Sequence, residues 1–377
     1  MRILTLIHEF PPIGGGGGRA AYDICKGLVA RGDQVTVLTA HMQGLPFEEF
    51  RDGIHLVRIS SYRRETFGAS FLTMLAFIIS GLWTGYRLIR LERPDILHTH
   101  FAVPSGALAW ILSTLTGTPY ILTAHLGDVP GGVPEKTGKW FRWIKPFTYP
   151  IWKHAKKVVA VSEHTRQLAL RHYPVNVQVI HNGADVRSLS PSNIKLNKPP
   201  RLVFAGRFMP QKNPFAIIQI LAQLKDLDWK CSMLGDGPLF EDVKREIQKA
   251  GMGERFDLSG WVTPEVVLSR FSESDILFMP SLSEGLPVVG VQALAAGLAI
   301  AASDIGGFLD LVDNGVNGYL IDVRDVPGFT RALREMISNP EVLFRFREAS
   351  VKKSHQFDIQ KIVDQYQSVL REVVKVN

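Results

Sequence analysis

The chain has 377 residues, 46% of them hydrophobic and 21% charged, and a formal net charge of +7. That length predicts two domains or one large one, and the composition excludes a disordered chain. The positive balance favours anionic partners such as nucleotides or acidic lipids, while nucleic acid is set aside because neither zinc-finger spacing nor a block of consecutive basic residues accompanies the charge.

The N-terminal segment MRILTLIHEFPP has no long apolar run after its charge, so it reads as a first strand and not as a signal peptide. An alternating series begins there. RILTLIH, QVTVLTA, IHLVRIS, DILHTHFA, PYILTAH, KVVAVSE and VQVIHNG are near-continuous apolar runs, as strands buried on both faces require. Helical stretches such as 20–30 and 165–171 lie between them, giving a doubly wound α/β domain over residues 1–186. The two cysteines, Cys25 on a predicted helix and Cys231 on a predicted strand of the other half, supply no disulfide framework and fit a reduced, cytoplasmic setting.

Two segments of this half bear on membranes. Residues 67–86, FGASFLTMLAFIISGLWTGY, carry no charge and are long enough to span a bilayer. They also contain Gly68, Gly81 and Gly85 and lie between two strands of one sheet, so a buried or membrane-facing crossover helix is expected. Residues 136–157 interleave Trp140, Trp143 and Trp152 with Lys139, Arg142, Lys145 and Lys153. This mixture fits an anionic membrane surface or an amphipathic helix pair covering the sheet with snorkelling lysines.

The polar, proline-bearing stretch 187–200 reads as a linker. A second alternating series follows over 201–356: RLVFAGR, KCSMLGDG, RFDLSGW, DILFMPS, LAIAASD and GYLID. The tail, 357–377, reads as a terminal amphipathic helix.

Several of these strand ends carry candidate chemistry. The glycine run 14–18 sits between the first strand and a helix, where backbone without Cβ can approach a phosphate or sugar. A flexible turn explains the same run. A dinucleotide-binding reading lacks an acidic residue closing the second strand. Arg207 and Lys212, after RLVFA, could grip a diphosphate or be solvated surface charges. GDGP (235–238) and SGWV (259–262) are turns after strands. His125 ends a strand at the carboxyl edge, where open α/β sheets place ligands. His98 and His100 in HTHF lack a third ligand for a metal and read as strand-end residues. Asp226-Leu227-Asp228 reads as a solvated connection away from every other motif. In PSLSEGLPVVGVQALAAG, 280–297, Glu284 lies in a turn, Pro287 at the expected first helical position and Gln292 in the first turns. A helix N-terminus there would favour a phosphate, with a carboxylate beside it for sugar hydroxyls.

That last stretch resembles the PSxxEGxGLPxxEAMAxG pattern of retaining glycosyltransferases of family 4 (glycosyl transferases group 1). GRFMPQK resembles the family's GRxxxxKG string, with Asn213 in place of its Gly. LTAHLGD is similar to its TxHG segment, with Leu126 intervening. The resemblance implies the α/β GT-B fold, two doubly wound Rossmann-like domains facing a central cleft. It places the acceptor on 1–186, with the C-terminal helix packing back on it, and the nucleotide-sugar donor on 201–356. By the same resemblance His125, Arg207, Lys212 and Glu284 are catalytic, with Arg207 and Lys212 on the pyrophosphate and Glu284 and His125 on the sugar. Gly15, Gly16, Gly17, Val262, Gly285, Leu286, Pro287 and Gln292 bind the donor. Gln292 stands where the family has a second glutamate for the ribose, which implies altered donor affinity without loss of activity.

The implied activity is metal-independent hexosyl transfer from a UDP- or GDP-type sugar to a glycan or lipid-linked acceptor, in cell-surface polysaccharide or glycolipid synthesis. Neither cofactor nor metal is expected. The implied location is cytoplasmic, peripheral on the inner membrane face if the basic and aromatic segments touch lipid. A nucleotide-sugar epimerase, a sugar phosphorylase and a non-catalytic nucleotide-sugar-binding protein stay open as alternatives.

Overall fold

The computed structural model describes residues 1–65 and 70–376, and the side chains of all of these except 135–143 and 376. The chain forms two compact units, Met1–Gly183 with Ile359–Asn377, and Ala184–Asp358.

The first unit is built on an eight-stranded sheet. Its strands are β1 (Arg2–Leu6), β2 (Gln34–Met42), β3 (Glu48–Arg51), β4 (Ile54–Arg63), β5 (Ile96–His100), β6 (Tyr120–Ala124), β7 (Lys157–Ala160) and β8 (Val177–Val179). They lie in the order β3-β4-β2-β1-β5-β6-β7-β8. Every neighbouring pair is parallel except β3 with β4. β3 was not expected: EEFR is four residues of mostly charged sequence, and its inner edge is fixed by ion pairs of Glu49 with Arg51 and buried Arg58. The central strands β1, β5, β6 and β7 are buried on both faces, which accounts for their continuous apolarity, whereas β4 and β8 towards the sheet edges are partly exposed. One face is covered by helices Gly16–Ala30 and Ile359–Val376, whose Ile24, Leu28, Ile362 and Leu370 share a core with Ile3, Val35 and Ile96.

Helix Phe71–Glu92 follows β4 and packs on the other face through buried Phe77, Gly81, Gly85 and Ile89. A Cβ at Gly81 would stand 2.5 Å from Leu108 and one at Gly85 2.6 Å from Leu112. These two glycines therefore bring this helix close to Ala107–Thr116. The helix is long and apolar enough to cross a bilayer by length and composition, yet its inner face belongs to this domain core. Residues 67–69 at the start of that segment lie outside the described residues. So do the side chains of Lys136, Lys139, Trp140, Arg142 and Trp143 in the basic and aromatic segment. That segment forms one helical run, Pro134–His154, with Pro146 and Pro150 inside it, and not the helix pair that one of its two readings gave. Its Trp152 is fully buried and stacked on Tyr173 at 4.3 Å, so it is a core residue and no part of a membrane face.

The second unit has a six-stranded, wholly parallel sheet in the order β11-β10-β9-β12-β13-β14. Its strands are β9 (Arg201–Ala205), β10 (Lys230–Leu234), β11 (Phe256–Gly260), β12 (Ile276–Met279), β13 (Ala299–Ser303) and β14 (Gly318–Ile321). The stretch 187–200 lies within this unit and is tied to it. Buried Arg347 donates to the Lys195 and Gly297 carbonyls and pairs with Asp275, which also accepts from Asn197.

Candidate active site

In the second unit the strand order reverses between β9 and β12, the position where open α/β sheets hold ligands beyond their carboxyl ends. The turn after β9 carries Arg207 and Lys212, and the turn after β12 carries Glu284. The fold joins them across that switch point: Lys212 Nζ donates to Glu284 Oε1 at 2.5 Å, with side-chain exposures of 17% and 7%. The two residues expected to grip different parts of a donor are thus partners of each other. Three ammonium hydrogens and two carboxylate oxygens leave both with further hydrogen-bonding capacity. Arg207, half-buried, stands one residue after Gly206, whose Cα hydrogens face the Lys212 stem.

The surrounding turns are stacked closely. The Phe208 backbone meets the GDGP loop, where Phe208 N–H donates to the Asp236 carbonyl at 3.0 Å, Gly237 N–H donates to Asp236 Oδ1 at 2.7 Å within the loop, and a Cβ at Gly235 would stand 2.1 Å from the Gly206 carbonyl. On the other side Gly307 N–H donates to the Glu284 carbonyl at 3.0 Å, and a Cβ on Gly306 would lie 1.9 Å from that oxygen. Gln211 closes the frame by donating to the Ser283 carbonyl and accepting from Leu282 N–H. Asn213 has φ +50°. Asn is one of the few residues besides Gly at ease in that left-handed region, which explains the Gly-to-Asn departure.

Helix Val288–Ala295 begins just after the glutamate turn, with Pro287 as its N-cap and not its first helical residue, so the helix starts one position later than expected. No side chain caps it and no acid lies in its first turn, so its leading N–H groups and dipole remain available to an anion. Gly285, Leu286 and Pro287 form the lead-in to that end. Gln292 is half-buried one turn further along, and Val262 lies after β11, two strands from β9. Asp226 is held by Arg334 in an exposed ion pair. Among the described residues no group of three or more His, Cys, Asp or Glu is arranged to hold a metal ion.

The first unit has its own reversal, between β1 and β5. Helix Gly16–Ala30 follows β1 with Gly15 as N-cap, no side-chain cap and no acid in its first turn. Gly17 is enforced by packing: a Cβ there would meet Phe101 Cζ at 2.6 Å and the His125 ring at 3.2 Å. The glycine turn and His125, 108 positions apart in sequence, therefore touch. Gly15 faces open space, and Gly16 is the first helical residue.

His125 is almost fully buried and stacks on Phe101 at 4.2 Å. Its imidazole takes part in a reciprocal cap with Asp128, accepting the Asp128 N–H while the Asp128 carboxylate accepts the His125 N–H at 2.8 Å. Burial lowers the imidazole to about 4, so it is neutral near pH 7. A neutral ring that accepts at one nitrogen carries its proton on the other. Nε2 is buried without a hydrogen-bond partner, and its N–H is therefore a donor awaiting an acceptor.

Three neighbours were missed from sequence. Phe101 takes φ +70°, a left-handed conformation that costs a bulky residue energy and aims its ring at His125. Asp128 also accepts from Ala102 N–H at 2.8 Å, linking the ends of β5 and β6; burial raises its carboxyl to about 7 while the backbone N–H groups pull it back. Glu9 sits 3.7 Å from His8 and 3.3 Å from buried Arg63. Only Asp128 had a sequence signal, as an N3 acid after a strand end. His98 and His100 lie fully buried beneath His125, His98 bonded to Thr123 at 2.9 Å.

Comparison with known proteins agrees with this architecture. A solved sucrose-phosphate synthase from Thermosynechococcus elongatus superposes with a TM-score of 0.88 at 18% identity, each chain fully covered. Anabaena Alr3699/HepE, solved in complex with UDP and glucose, gives 0.78 at 19% identity over 99% of this chain and 100% of that one. An Escherichia coli UDP-Gal:alpha-D-GlcNAc-diphosphoundecaprenol alpha-1,3-galactosyltransferase is 25% identical over 77% of this chain and 78% of its own. Residues 14–188 match the family described as Glycosyltransferase Family 4, and 185–353 the family described as Glycosyl transferases group 1. The chain belongs to these glycosyltransferases and has their GT-B fold of two Rossmann-like domains.

Proposed function

We propose that this glycosyltransferase moves a hexose, with retention of anomeric configuration and without a metal, from a UDP- or GDP-sugar to a glycan or lipid-linked acceptor in cell-surface polysaccharide or glycolipid synthesis. The observation that carries the donor reading is the Lys212–Glu284 pair at the β9/β12 switch point, with Arg207 on the same turn as Lys212 and an uncapped helix end beside Glu284. Support for the substrate class comes from the E. coli relative, named for a UDP-galactose donor and a diphosphoundecaprenol-linked acceptor, and from HepE, solved with UDP and glucose.

Cleavage of the sugar–phosphate bond leaves negative charge on the nucleoside diphosphate. Arg207, Lys212 and the N–H groups leading the Val288–Ala295 helix are fixed donors for that charge and supply the stabilisation a metal would otherwise give. Glu284, held by Lys212, offers its remaining oxygen to sugar hydroxyls. Gln292 offers the ribose one acceptor and one donor in place of a carboxylate. In the first unit the glycine turn and the unpaired His125 Nε2–H provide donors for sugar or phosphate oxygens. The acceptor is assigned to this unit.

Thermal shift against UDP, GDP, ADP and their sugars without added metal tests the donor site. One nucleotide should stabilise the protein, and Arg207→Ala should abolish the shift. Stabilisation by none would refute the donor assignment. Product analysis by anomeric proton NMR tests retention. Turnover of donor alone to an epimer, or only with inorganic phosphate, would replace transfer to an acceptor by the other two activities.

A further inference from the structure

The solvent side of helix Phe71–Glu92 is apolar along most of its length. Leu72, Leu75, Ile79, Trp83 and Tyr86 recur every three or four residues opposite the buried Phe77, Gly81, Gly85 and Ile89, and they are 73%, 42%, 61%, 77% and 40% exposed. A crossover helix on a soluble domain normally turns polar residues outward. The residues also change in kind along the axis: aliphatic at Leu72, Leu75 and Ile79, aromatic at Trp83 and Tyr86, then exposed cations at Arg87, Arg90 and Arg93. The helix has one acid, Glu92, and it is turned to the sheet, bonded to Thr36 at 2.7 Å and 3.4 Å from His55. No carboxylate on the stripe can therefore answer the arginines of a second copy.

We propose that this face docks on an anionic lipid bilayer. The aliphatic end enters the acyl boundary, Trp83 and Tyr86 lie at headgroup level and the three arginines meet lipid phosphates, an order that matches the polarity gradient of a bilayer surface. The helix starts at the carboxyl edge of the sheet, where Thr73 and Met74 line one small cavity with His8 and Arg63. Docking therefore sets that edge near the lipid surface. The proposal stands apart from the donor assignment, and a lipid-linked acceptor is its consequence only if that assignment holds.

The test is flotation of the full chain with vesicles of phosphatidylcholine alone and of phosphatidylcholine with about one third phosphatidylglycerol. Wild type should float with the anionic vesicles only. Ile79→Asp with Trp83→Asp should lower partitioning at least about tenfold, as should Arg87→Ser with Arg90→Ser, both retaining the wild-type circular dichroism spectrum. Wild type that stays unbound, or two folded variants that bind like wild type, would overturn the proposal. So would a dimer in sedimentation velocity that the Asp pair dissociates, which would make a second copy the occupant. A missing nucleotide shift would count against the donor reading and leave the flotation result standing.

Discussion

Replacing Lys212 with Met takes the ammonium partner from a carboxylate that is 6% exposed. A buried charge stripped of its counter-ion costs about 3–5 kcal/mol, and because Lys212 is itself 17% exposed the lower end, about 3 kcal/mol, is expected. Glu284→Gln leaves the cation, which can reach water, and should cost about 1–2 kcal/mol. Removing both charges together should cost no more than Glu284→Gln alone, which makes the coupling at least about 3 kcal/mol. Native-state hydrogen exchange read on peptides from β9 and β12 reports the opening of this unit by itself. A coupling below about 0.5 kcal/mol would show that the pair does not organise the switch point, and the ordering of the two turns would then rest on the glycine contacts alone.

Four further outcomes are expected. Glu284→Ala should lower turnover by roughly 10²–10³, and near-normal turnover would refute its place on the sugar. Gln292→Glu should tighten the donor KM and Gln292→Ala should raise it; an Ala variant equal to wild type would remove the ribose role. Gly17→Ala, which forces a Cβ against Phe101 and His125, should destabilise the first unit by about 1–3 kcal/mol, measured by exchange of the 96–128 peptides. Acid should also weaken this unit: burial holds His98 to about 3, His100 well below the usual imidazole value and His125 to about 4. Their stabilisation is complete above the unfolded value near 6.5 and is lost as pH falls. Asp128, raised to about 7, acts oppositely, its contribution full below the unfolded carboxyl value and lost as pH rises through 7. With three imidazoles against one carboxyl, the stability of this unit should fall between pH 6.5 and pH 4.5. Urea melts across that range would refute the account if they were superimposable.

How far the sequence reached depended on whether a feature was local. Apolar runs such as DILFM and YILTA specify strands because both of their faces are buried, and the turns after them fall at one edge because parallel strands all end there. Contacts across the strand order are a different matter. The meeting of Gly17 with His125 passes through Phe101, and depends on β1, β5 and β6 being neighbours and on a positive φ that nothing in HTHF announces. The Lys212–Glu284 pair spans 72 positions and follows from β9 lying beside β12. EEFR escaped notice because its strand is held by ion pairs and one neighbour, with no apolar pattern to mark it. Trp152 misled because an aromatic beside lysines reads as interfacial until its ring is found against Tyr173.

The helix Ile359–Val376 belongs to the first unit although the whole second unit precedes it in sequence. It supplies Tyr366, whose hydroxyl lies 3.4 Å from Thr123, Gln367, which donates to buried Asp33, and Asp364, paired with Arg31. On the ribosome, residues 1–183 must therefore wait with one sheet face covered by helix Gly16–Ala30 but lacking the Ile362, Val363, Tyr366 and Leu370 that complete its core, until position 376 has been made. Residues 184–358 are contiguous and can close their own sheet as soon as they emerge. The order of maturation is thus the reverse of the order of synthesis, and the interval between the two is when the nascent chain is most in need of a chaperone.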